Sequence, residues 1–249
     1  MLAGYAAAVT GVDRMLSRVI GTLEELGQLE DTIIVFTSDN GFSCGHHGIW
    51  GKGNGTDILN FWENSIRVPF IAWGPGRIAA GAVRTDLVSA TSFLETILDL
   101  AGVEAPEDPL RAGPSVAHLL RSDAGPEADG EILVLDEYGD NRMIRTERWK
   151  LVLRRRGPGE LFDLEADPAE EHDLFEDPAS AAVRRDLEGR LDERFRALSL
   201  PQTDGWELDV SGHGQLGRVD GPGRSPHGAE LFHPGSGRPA PDPRTPAAG

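Results

Sequence analysis

The stretch I-I-V-F-T-S-D-N-G-F-S-C-G-H-H-G-I-W-G-K-G, residues 33–53, decides the reading of the fold. Residues 33–37 are all apolar or β-branched, with no turn or charge among them. Such a run reads as a strand buried on both faces, as in a parallel sheet. Ser38, Asp39, Asn40 and Gly41 follow directly. In an open parallel sheet, ligands sit beyond the carboxyl ends of the strands. Asp39 and Asn40 therefore fall where chemistry is usually done. A carboxylate and an amide carbonyl are oxygen donors of the kind that hard cations take, although D-N-G is also ordinary turn sequence. His46 and His47 come next, then Lys52 between Gly51 and Gly53. The glycines let the backbone bend and approach a ligand closely. A lysine ammonium is a compact charge suited to an anionic oxygen; the plain alternative is a solvated loop lysine.

Upstream, residues 5–29 carry Val9, Val12, Leu16, Val19, Ile20, Leu23 and Leu26 at three- and four-residue steps. This is an amphipathic helix, with Gly27 just past its end. Downstream lies a loop, 53–64, containing Phe61 and Trp62, which read as packing before ligand stacking. Residues 67–73 form a second buried strand, with Pro69 near its start. Residues 87–101 form a helix with Ser92 and Glu95 in capping-box spacing. Residues 106–126 are a linker with a short helical candidate at 116–120. The pattern then changes to short strands at 131–138, 141–145, 149–154 and 160–164, separated by turns, as in an antiparallel sheet. Arg154, Arg155 and Arg156 read as a solvated hairpin end. Asp177 and Pro178 open a helix to residue 198, with Val183, Leu187, Leu191, Phe195 and Leu198 as its apolar stripe.

The fold class is α/β: a partial parallel sheet flanked by helices, then a small C-terminal antiparallel α+β subdomain. The expected divisions are 1–126, 127–200 and an extension from 201 to 249. The last 30 residues hold 7 prolines and 6 glycines with little apolar content, so disorder is expected from about residue 220.

Twenty-four basic against 41 acidic residues leave a formal net charge of −17, which argues against nucleic acid and anionic membranes as partners. No run approaches the roughly 20 apolar residues of a transmembrane helix. The N-terminus lacks a signal-peptide pattern, so the chain as written reads as cytoplasmic. The single cysteine, Cys44, excludes an internal disulfide.

The chain resembles the sulfatase family of the alkaline-phosphatase-like superfamily. The residues that carry the resemblance are T-S-D-N-G at 37–41, G-H-H-G-I-W-G-K-G-N-G-T at 45–56 and E-N-S-I-R-V-P-F-I-A-W-G-P-G at 63–76. Y-A-A-A-V-T-G-V-D at 5–13, L-D-L-A-G at 98–102, R-W-K-L-V at 148–152 and E-L-F-D-L-E-A-D-P-A-E-E at 160–171 also fit. The resemblance implies that Asp39 and Asn40 are two ligands of an active-site calcium and that Lys52 binds sulfate oxygens. His47 would line the site, and Glu63 would be structural. The family's nucleophile is a formylglycine made from the cysteine of C-x-P-S-R. Cys44 stands in S-C-G-H-H instead. The expected function is therefore that of a sulfate ester hydrolase, truncated and inactive alone, whose partners are a sulfated small molecule or glycan and a missing N-terminal half. The alternatives are a phosphate or phosphonate monoester hydrolase, or a non-catalytic binding protein.

Overall fold

The computed structural model describes residues 1–56, 58–108, 110–121, 130–135, 141–201 and 204–207. The tail, the end of the linker and the last residues of the 131–138 strand lie outside these.

Helix α1 (Leu2–Glu25) opens the chain. It stops where Gly27 takes a φ of 65°, with the amides of Gly27 and Gln28 turning back to the carbonyls of Glu24 and Leu23. A single 3₁₀ turn, Leu29–Asp31, then leads into β1 (Ile34–Phe36), so the helix both starts and ends earlier than the 5–29 pattern. The apolar stripe of α1 reaches no core. None of its residues is buried, and Val9 and Val19 are about half exposed.

β1 pairs with β4 (Ile71–Trp73), and the pairing is antiparallel, Ile34 opposite Trp73 and Phe36 opposite Ile71. This corrects the expected parallel sheet. An apolar run encodes burial, not strand direction, so residues 33–37 could not distinguish the two. Burial on both faces is also corrected: β1 is half-buried throughout, and Ile71 and Trp73 are exposed. Between them lie a short hairpin, β2 (Ser43–Cys44) and β3 (Trp50–Gly51), and the one-turn helix α2 (Glu63–Ile66).

Helix α3 (Phe93–Ala101) is shorter than the 87–101 expectation. Ser89, rather than Ser92, supplies the side-chain cap, accepting from the Thr91 amide at the start of a 3₁₀ turn. Glu95 is drawn away to an ion pair with Arg111. α4 (Ala117–Leu120) packs on α3, with the Thr96 hydroxyl accepting from the Val116 amide at 3.0 Å.

The second half is a four-stranded antiparallel meander: β5 (Ile132–Leu135), β6 (Asn141–Arg145), β7 (Trp149–Arg154) and β8 (Glu160–Asp163). Asp177 accepts from the Ala179 amide, Pro178 begins the turn, and α5 (Ala181–Leu198) follows. Alternate residues of a strand face opposite sides of its sheet. Ile144, Leu151 and Leu161 thus meet Leu187, Leu191 and Phe195 of α5. Met143 and Val152 face the other way and cover Phe61, with Ile66 beside it. Each such burial contributes about 1.5–3 kcal/mol. The sheet is therefore packed on both faces, and the segment on its second face is the one that leads to the candidate site.

Candidate active site

Beyond the end of β1 the chain turns through Ser38, Asp39 and Asn40. The Ser38 hydroxyl donates to the Asn40 carbonyl at 2.9 Å, and the Asn40 amide donates to Asp39 Oδ1 at 2.9 Å. The next residue must be glycine. A Cβ on Gly41 would stand 2.2 Å from the Asn64 carbonyl oxygen and 2.8 Å from that of Arg67. That close approach lets the Gly41 amide donate to the Ser65 carbonyl at 2.9 Å, fixing the turn on α2.

Lys52 arrives from the other side, directly after β3. Its Nζ donates to Asn40 Oδ1 at 2.6 Å, a charge-assisted bond that joins two of the candidate residues. The Lys52 backbone is held by Asn60, which is buried. Asn60 Nδ2 donates to the carbonyls of Lys52 and Gly53 at 3.4 and 3.3 Å, and its amide donates to Gly53 at 2.9 Å. Ser65 Oγ in turn donates to Asn60 Oδ1 at 2.6 Å.

Asp39 lies in the same turn and is exposed, with Oδ1 engaged by Asn40. His47 sits at the tip of the β2–β3 hairpin with a φ of 52°, and its ring stacks on Trp62 at 3.8 Å between centroids. His46 is exposed, and Cys44 is half-buried and free. The structure thus brings Asn40 and Lys52 into contact, sets Asp39 beside them, and holds His47 against Trp62.

The fit to a cation is partial. Asp39 and Asn40 offer the right kind of oxygen, but calcium takes 6–8. Among the described residues, no group of three or more histidine, cysteine, aspartate and glutamate side chains could hold a metal ion. Asn40 Oδ1 is moreover already bound to the Lys52 ammonium.

Apart from Glu63, expected to be structural, sequence reasoning does not single out the supports. Lys150 has a fully buried side chain; its Nζ lies 2.8 Å from Glu63 Oε1, 2.6 Å from Glu170 Oε1 and 2.8 Å from the Phe61 carbonyl. Arg145 adds a second cation to Glu63 at 3.1 Å. Burial alone would raise the Glu63 carboxyl, but Lys150 and Arg145 together hold it below the ordinary range. For Glu170 burial wins, and its carboxyl is pushed up despite Lys150. The only signal in the sequence was a lysine among the apolar residues of a strand, in W-K-L-V. Arg154 also departs from expectation. It is buried, not solvated, bonded to Glu160 at 2.7 Å and to the carbonyls of Pro158 and Leu59.

The α/β framework is similar to solved sulfatases and phosphonate monoester hydrolases of the alkaline phosphatase-like superfamily. The sulfatase family model matches residues 1–103. The chain is 32% identical over 204 residues to the N-acetylglucosamine-6-O-sulfatase of Bacteroides thetaiotaomicron, covering 76% of this chain and 34% of that protein. Among solved structures, a complex with the substrate D-glucosamine-2-N,6-O-disulfate matches with a TM-score of 0.68 and 28% identity, over 79% of this chain and 40% of the other. The phosphonate monoester hydrolase of Agrobacterium radiobacter matches with a TM-score of 0.63 and 28% identity, over 78% and 41%. The chain thus spans well under half the length of these relatives. No helix among the described residues is long and apolar enough to cross a membrane.

Proposed function

We propose that this chain carries the anion-binding part of a sulfate ester hydrolase. The observation that carries the reading is the 2.6 Å contact between Lys52 Nζ and Asn40 Oδ1 beyond β1. The non-bridging oxygens of a sulfate ester are anionic, and a preset ammonium binds and orients them while charge builds on the departing alcohol oxygen. Lys52 binds a sulfate oxygen, and Asn40 aims the ammonium. His47, its ring held against Trp62, lines the site where the leaving alcohol would lie. Asp39 and Asn40 would hold a calcium ion only in part, Asn40 through the same oxygen that accepts from Lys52. A bound calcium supplies Lewis-acid polarisation of the sulfate. The substrate class is a sulfated glycan or small molecule, following the sulfatase named above.

Hydrolysis by this family needs a formylglycine nucleophile, and the sequence contains no C-x-P-S-R from which to make one. A covalent route that divides the displacement into two steps is then closed. The chain by itself is expected to hydrolyse an aryl sulfate, with calcium present, no faster than an Asp39→Ala control. Turnover that disappears in Asp39→Ala would contradict this. The likeness to a phosphonate monoester hydrolase supports a second reading, in which the same lysine meets a phosphonate oxygen. Binding of inorganic phosphate well above that of inorganic sulfate would favour it.

A further inference from the structure

We propose that Lys150 is a positioning residue for the Asn40–Lys52 pair, acting through a two-glutamate clamp that fixes the 60–65 segment on the antiparallel sheet. The functional meaning of the clamp rests on the anion-binding reading of Lys52.

A fully buried lysine is rare, and this one has three donors and three acceptors. Two of the acceptors, the Phe61 carbonyl and the Glu63 carboxylate, belong to the segment itself. The third, Glu170, also accepts from the Glu63 amide at 2.6 Å. Glu170 holds a φ of 57°, a backbone region that non-glycine residues occupy only where their surroundings impose it.

Both halves of the site hang from this segment. Asn60, next to Phe61, holds the carbonyls of Lys52 and Gly53. Ser65 locks Asn60 with its hydroxyl and receives the Gly41 amide on its carbonyl. A shift of the segment away from β7 would therefore move the lysine and the asparagine together. An apolar side chain of similar volume would fill the space below Phe61 with no desolvation cost, and such replacements are often neutral or stabilising. What the ion pairs add is direction: they set where Phe61 and Glu63 lie, as packing alone would not.

The test measures hydrogen exchange at the amides of Gly41, Asn60 and Gly55, the last of which donates to the Lys52 carbonyl at 2.7 Å, and inorganic sulfate affinity by calorimetry, on the whole chain. The variants are Lys150→Met, Lys150→Met with Glu170→Met, Glu170→Gln, and Leu191→Ala as a control in the opposite face of the sheet. The double variant replaces a charged pair by apolar groups, so it should regain stability lost in Lys150→Met. Its exchange at the three amides should still be about tenfold faster than in the unmodified protein, and sulfate binding should be weaker by a similar factor. Leu191→Ala at matched stability should leave those amides slow. The idea is overturned if the stable double variant protects the three amides as well as the unmodified protein, or if Leu191→Ala speeds them equally. Should the methionine variants fail to fold, Glu170→Gln gives the answer: exchange confined to these amides and several-fold faster supports the clamp, and unchanged exchange refutes it. Lys52→Ala separates the two readings. Sulfate affinity unchanged by it would sink the anion-binding reading, while the exchange data would still decide the clamp.

Discussion

At the scale of single residues, the site depends on atoms that are not there. Gly41 has no Cβ, and the Asn64 and Arg67 carbonyls occupy the space where one would stand. These are backbone atoms of α2 and of the residue that follows it, and cannot swing aside as a side-chain end would. Gly41→Ala should cost about 3 kcal/mol, the upper part of the range for overpacking. Urea denaturation measures that loss, and a loss below about 0.5 kcal/mol, the scatter of surface substitutions, would contradict the tight approach. Gly41 was visible in D-N-G as a turn residue. Its real constraint, the carbonyl of Asn64, 64 − 41 = 23 residues further along the chain, was not, because sequence spacing carries no information on which distant backbone will press against a turn. Asn40 and Lys52 stood out as candidates through their residue types and glycine flanks. Asn60 was not, since a buried asparagine and a solvated one look alike in a loop.

At the scale of elements, what was legible followed the periodicities. The meander strands and α5 were marked by turns, by Asp177-Pro178 and by a stripe at helical spacing. The pairing direction of β1 and β4 was not, and nor was the way α2 and the meander are riveted through charge. That rivet gives a pH dependence of two opposite signs. The Glu63 carboxyl is held low, so its contribution is present above the ordinary glutamate value of about 4.3 and fades as pH falls through its folded value. The Glu170 carboxyl is held high, so its contribution is present below about 4.3 and fades as pH rises through its folded value. The stability of the unmodified protein relative to Glu170→Gln should therefore decline as pH rises above about 4.3. Urea midpoints across that window measure it. A difference that is flat, or that grows with pH, would show that Lys150 outweighs burial at Glu170.

At the scale of the whole molecule, the two halves are unequal. The meander and α5 enclose a core, while α1, β4 and α3 leave Val9, Val19, Ile71, Trp73 and Leu94 exposed. Apolar surface on this scale drives association. Sedimentation velocity should show concentration-dependent self-association that Ile71→Lys reduces; a monomer at every concentration would contradict it. The central claim, however, is that Lys52, set by Asn40, binds the oxygens of an anionic ester. The most direct measurement is calorimetric titration of the whole chain with inorganic sulfate, beside Lys52→Ala. The account predicts saturable binding, weakened at least tenfold by the substitution. Equal affinity in the two proteins, or no binding in either, would contradict it.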